Sequence, residues 1–156
     1  MRHASRWMSI VVVALAADAW ATEPCPLDAN IEQVVSVELT APDPEAVLVA
    51  GVTLVVNHPE TKLGLVGESI AVPKGTISGA PADAVASAND LGTAVRLVVA
   101  RAGPLPIGRS LLSLHFQRCQ GAAPAAAREF TCVIVDAADP STNKLREGIG
   151  CTVVVP

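Results

Sequence analysis

The chain contains no tyrosine, and aromatic residues make up 3% of its 156 positions. Trp7 and Trp20 both fall within the first 21 residues, so beyond them Phe116 and Phe130 are the only Phe, Tyr or Trp side chains. Sugar recognition by stacking needs such rings displayed on a surface, and this composition leaves almost nothing to build one from. Positive charge is scarce too, with 11 Lys plus Arg against 15 Asp plus Glu. The resulting negative field disfavours a nucleic-acid partner, because it offers no counterion release from phosphate. Also missing are a Cys-x-x-Cys pair, an HExxH motif, a Gly-rich phosphate loop and any paired-carboxylate spacing, the usual signatures of zinc, nucleotide and hydrolytic chemistry. Gly67-Glu68-Ser69-Ile70-Ala71 lacks the second glycine of a nucleophile elbow. An enzyme is therefore the least supported class, and no cofactor is implied.

What is present begins with a leader. Arg2, His3 and Arg6 make a basic start, residues 8–17 an apolar run, and Ala19-Trp20-Ala21 a small-x-small cleavage pattern. All parts of a secretory signal occur in order, predicting a signal peptide over residues 1–21 and a secreted or periplasmic domain over 22–156. Ten or so apolar residues fall short of the ~20 that span a bilayer, and later apolar runs are strand-sized, so no membrane span is expected after cleavage. Loss of Arg2, Arg6 and Asp18 leaves nine basic and fourteen acidic side chains, a formal charge of −5.

Residues 34–39 place Val35, Val37 and Leu39 on one face and Ser36 and Glu38 on the other, the period of a half-buried strand. Pro42 and Pro44 close it in a turn cluster. Residues 46–56 read either as a strand covered on both faces or as two short strands bent at Gly51. Extended pattern resumes over 62–66. Residues 69–90 read as irregular loop with one or two short strands, with a helical turn over 82–88 as the alternative. Strands follow over 93–100, 109–118, 130–135 and 151–155. The stretch at 109–118 alternates most cleanly, with Leu112, Leu114 and Phe116 against Ser113, His115 and Gln117. Short strands separated by Pro and Gly predict an all-β sandwich or jelly roll of about eight to nine strands.

Cys25, Cys119, Cys132 and Cys151 are an even set in an exported chain, which favours two disulfides. Their spacing leaves all three pairings open. His115 has no Cys or Ser pattern around it that suggests a nucleophile, and it reads as an outward polar residue; His58 reads as a turn residue before Pro59. Asp136, Asp139 and Asn143 crowd one connector, where oxygen ligands can hold Ca²⁺. Turn formation by Asp-Pro and Ser-Thr-Asn is the preferred reading there.

Three segments together resemble the cohesin domain, a jelly-roll module of the carbohydrate-binding-module superfamily. Residues 50–67 are similar to the family's strand, Pro-containing corner and following strand, with Asn57 and His58 where the family has Tyr and Asp. Residues 103–116 are similar to its loop leading into an alternating strand, and 130–155 to its last two strands. The resemblance implies parallel first and last strands lying side by side, and hence disulfides Cys25–Cys151 and Cys119–Cys132, with Cys132–Cys151 as the main rival pairing. It also implies a non-catalytic binding module presenting a sheet face to a dockerin-like or other surface protein, through Ser113, His115 and Gln117 with Asn57 and His58 at the corner. A carbohydrate-binding module linked to polysaccharide catabolism, and a structural extracellular domain without a specific ligand, are the alternatives.

Overall fold

Apolar residues recurring at every second position force strands, and strands with one apolar face must pair face to face. The computed structural model describes residues 25–65, 76–141 and 147–156. The leader and Gly67-Glu68-Ser69-Ile70-Ala71 lie outside these described residues. Within them nine strands follow one another: β1 Leu27–Thr40, β2 Gly51–Asn57, β3 Leu63–Gly64, β4 Ile77–Ser78, β5 Val85–Asp90, β6 Ala94–Ala100, β7 Ser110–Cys119, β8 Thr131–Ala138 and β9 Gly150–Val154. The first sheet has the order β3-β7-β1-β9, with β4 also paired to β7, and the second has the order β5-β6-β2-β8. All pairings are antiparallel. The chain passes repeatedly between the sheets, the interleaving of a jelly-roll sandwich.

The core is aliphatic. Val35, Val37, Leu39, Leu112 and Leu114 from the first sheet meet Val52, Leu54, Val56, Leu97 and Val99 from the second, all buried. Each such side chain contributes about 1.5–3 kcal/mol on burial. Phe116 is fully buried and its ring centroid lies 6.1 Å from that of Phe130, so both aromatics of the domain are spent inside. Gln33, on the inward side of β1, donates from Nε2 to the Ala125 carbonyl at 2.7 Å and accepts the Ala125 N–H at 2.8 Å. These two bonds dock the Ala- and Pro-rich segment between β7 and β8 onto the core. Lys62 reinforces the same segment through Glu129 at 2.8 Å. That hydrogen bond, with the Ala126 N–H, holds the Glu129 carboxyl below its usual range.

Several boundaries differ from expectation. Strand β1 starts seven residues earlier than the alternation suggests, because its register with β7 shifts between Asp28 and Glu32 and the two-residue period is lost there. Residues 46–50 are not strand; β2 begins at Gly51, half-buried, with Val52, Leu54 and Val56 inward. The helical alternative at 82–88 gives way to β5, which pairs along its whole length with β6. Cross-strand pairing there overrides the helix propensity of alanine.

The first and last strands lie side by side as expected but antiparallel, and the expected Cys25–Cys151 and Cys119–Cys132 give way to the rival pairing Cys132–Cys151. β9 runs antiparallel to β1, pairing Thr40 with Gly150 and Ser36 with Val154, so the start of β9 faces the end of β1. Cys25 instead lies beside the end of β7, where Leu27 pairs with Cys119. The bonds are Cys25–Cys119 and Cys132–Cys151, with Cα separations of 5.6 and 5.5 Å. The second links β8 to β9 and so joins the two sheets. Loops of 94 and 19 residues correspond to about 5 and about 3 kcal/mol of denatured-state constraint in the chain-entropy model. Two disulfides fit an oxidising compartment. No helix among the described residues is long and apolar enough to cross a membrane.

Mass mapping of non-reduced peptides is expected to return Cys25–Cys119 and Cys132–Cys151; a Cys25–Cys151 peptide would contradict the strand pairing. Gln33→Leu leaves the Ala125 N–H and C=O without partners, and should lower stability by about 2 kcal/mol in urea unfolding.

Candidate functional site

The outward positions of the second sheet line up in rows set by register. Val85 lies opposite Ala100, which lies opposite Gly51 and, across it, Ala138. The next row holds Ser87, Val98, Thr53 and Asp136, and the one after it Asn89, Arg96, Val55 and Val133. A register shift between Thr53 and Leu54 of β2 adds Val135 to this side of β8. Val85 is 76% exposed, Val133 54% and Val135 52%, and Val98 is also exposed. Single exposed apolar residues are ordinary, but four exposed valines share this face, Val85 and Val98 on β5 and β6 and Val133 and Val135 on β8, with Thr53 and Val55 of β2 between the two pairs. The row of small residues lowers the surface at its centre, and two shallow depressions meet at Gly51, flanked by Ala100 and Ala138. A Cβ on Gly51 would sit 3.8 Å from that of Ala138 and 3.9 Å from that of Ala100, filling the trough without a clash. Arg96 and Asp136 bring one charge of each sign, and Arg96 forms no ion pair among the described residues.

The residues singled out from sequence do not form one site. Asn57 is at the end of this same face, exposed, with Nδ2 donating to Thr131 Oγ1 at 2.7 Å. Ser113, His115 and Gln117 lie on the outer face of the other sheet, opposite Ser36, Val34 and Glu32 respectively. His58 is no surface ligand: it is 6% exposed, its ring 5.0 Å from that of Phe116. The polar corner turns its imidazole inward because His58 continues the inward parity of Val52, Leu54 and Val56. Neither ring nitrogen meets hydrogen-bond geometry. Burial pushes its pKa below 6.5, opposed by the weaker attraction of Asp90 and Glu60 and by the nearby Gly92 backbone.

His115, by contrast, is fully engaged. Its Nδ1 lies 2.9 Å from Glu32 Oε1 and its Nε2 2.6 Å from Ser78 Oγ. Sequence reasoning missed both partners because they lie 83 and 37 residues away, and because Ser78 falls in a stretch without periodicity. The one available signal is that the alternation of residues 34–39, carried back one more pair, places Glu32 on the side of Ser36 and Glu38.

Of the residues considered for Ca²⁺, Asp136 is exposed on β8, whereas Asp139 is 2% exposed. Asp139 Oδ1 accepts the Ser141 N–H at 2.7 Å and its hydroxyl at 2.5 Å, which is turn chemistry. Asn143 lies outside the described residues. No group of three His, Cys, Asp or Glu able to hold a metal occurs among the described residues. No family model, curated protein or solved structure matches the chain.

His58 makes a measurable prediction. Its folded pKa lies below the unfolded value near 6.5, so the unfolded state binds the proton more readily. The neutral ring's contribution is therefore complete above that value and is lost as pH falls through the folded pKa. Urea midpoints measured from about pH 7.5 to pH 5 should fall more steeply for the wild type than for His58→Phe; parallel curves would exclude the effect.

Proposed function

We propose that this protein is an exported binding module that docks a protein partner on the outer face of its second sheet. The observation that carries the reading is the outer face of this sheet, where exposed Val85, Val98, Val133 and Val135 are interspersed with the hydrogen-bonding groups of Thr53, Asn57, Ser87, Asn89 and Thr131, beside a shallow trough at Gly51. Such a mixture of apolar and hydrogen-bonding groups is the usual composition of a protein interface. The partner surface would present an apolar ridge to the trough and a carboxylate to Arg96. The sequence resemblance to cohesin domains and the leader support the same reading, with the sheet face rather than a cleft as the recognition surface. Relative to the sequence expectation, the docking face moves from the Ser113, His115 and Gln117 strand to the opposite sheet, keeping Asn57.

Stacked recognition of a sugar is not favoured, since Phe116 and Phe130 are both buried. Recognition without a bound metal completes the proposal.

The test compares wild-type protein with Val133→Asp and Val98→Glu, both at exposed positions, as baits in the secreted fraction of the source culture. A captured protein should be lost with either variant and retained with Ser36→Ala on the opposite face. Cross-links should map to β2, β6 and β8. Capture indifferent to both charged variants, or self-association through this face in light scattering, would overturn the reading.

A further inference from the structure

The outer face of the first sheet carries a second arrangement, unconnected with the exposed valines. Ser78 on β4 is cross-strand to Ser113 on β7, which is cross-strand to Ser36 on β1, giving a row of three serines. His115, two residues along β7 from Ser113, reaches Ser78 Oγ with Nε2 at 2.6 Å and Glu32 Oε1 with Nδ1 at 2.9 Å. A carboxylate cannot donate, so the bond to Glu32 requires the proton to sit on Nδ1. In the neutral ring Nε2 is then the acceptor, and the hydroxyl of Ser78 is the donor facing it. Each element comes from a different strand, and β4 is only two residues long. Gly79, with a φ of +69°, follows Ser78 directly and turns the chain away at once. Ser78 is exposed and His115 partly so, which leaves the hydroxyl open to a second molecule.

We propose that Ser78, His115 and Glu32 form a nucleophile, base and orienting carboxylate, and that Ser78 accepts acyl groups from carboxylic esters. In the step, Ser78 Oγ forms a bond to the ester carbonyl carbon while its proton passes to His115 Nε2. The bond from that carbon to the alcohol oxygen then breaks, and the departing oxygen takes the proton from Nε2. The products are acyl-Ser78 and a free alcohol, with imidazole restored. Glu32 is a positioning residue that selects the tautomer and steadies the imidazolium as it forms. The neighbours on the face are short, with Ser36, Ser113, Gln117 and two valines, Val34 opposite His115 and Val154 opposite Ser36. They suit small acyl groups projecting from a larger molecule, such as acetyl esters, rather than long chains.

The probes are p-nitrophenyl acetate and a fluorophosphonate, applied to the purified protein. Peptide mass mapping should place the acetyl or phosphonyl group on Ser78, and Ser78→Ala, at an exposed position, should lose it with an unchanged melting curve. His115→Gln keeps an acceptor near Ser78 but no titratable base, and should slow acylation at least about hundredfold. Added imidazole should restore part of the rate to His115→Ala, which a purely structural role would not allow. Glu32→Gln should slow acylation with Glu32→Asp recovering part of it. Labelling of Ser113, Ser36 or a lysine in place of Ser78, or a rate indifferent to His115→Gln, would overturn the proposal.

Discussion

A sandwich only two sheets thick has a core about 10 Å deep, and here that depth must be filled almost entirely by valine and leucine. Phe116 and Phe130 are the exceptions; they lie together in the core, with the His58 ring tilted against Phe116. Everything else about the molecule is arranged around this narrow aliphatic layer. Strict alternation keeps Val and Leu inward on β1, β2, β6 and β7, so each outer face is free to carry a different chemistry. The disulfides add covalent ties to this layer: one joins the segment just before β1 to the end of β7, and the other crosses between sheets.

The same shortage of rings explains why an imidazole is tolerated inside. His58 fills the place of an apolar side chain against Phe116, and burial favours its neutral form. A residue at a corner ahead of Pro59 would ordinarily face water. Its position next in the inward series after Val52, Leu54 and Val56 decides the matter, because the His58 N–H still bonds the Thr93 carbonyl at 3.2 Å and holds the strand's parity at this residue.

The two outer faces are chemically unlike. On the second sheet, exposed valines share the face with a trough of small residues at Gly51, with little charge. On the first, Ser36, Ser113 and Gln117 accompany the hydrogen-bonded set of Glu32, His115 and Ser78. A macromolecule held on one face would leave the other exposed, so docking and acyl transfer need not compete for the same surface. The proposed acylation of Ser78 would give the domain a covalent chemistry that neither its composition nor its motifs suggest.

The all-β class, the half-buried strands and the inward place of Phe116 were legible because side-chain parity is a local property, readable over five or six residues. The early start of β1 was not, since a register shift erases the period, and neither was β5, whose alanines carry no strand signal until β6 pairs with them. Cysteine pairing depends on which strand ends meet, and the antiparallel placement of β9 beside β1 decided it against the expected Cys25–Cys151. By itself, then, the sequence determined the fold class, the charge and the scarcity of rings. Only the tertiary structure decided the disulfides, the burial of His58 and the meeting of Glu32, Ser78 and His115, because each joins residues tens of positions apart whose proximity is set by strand order.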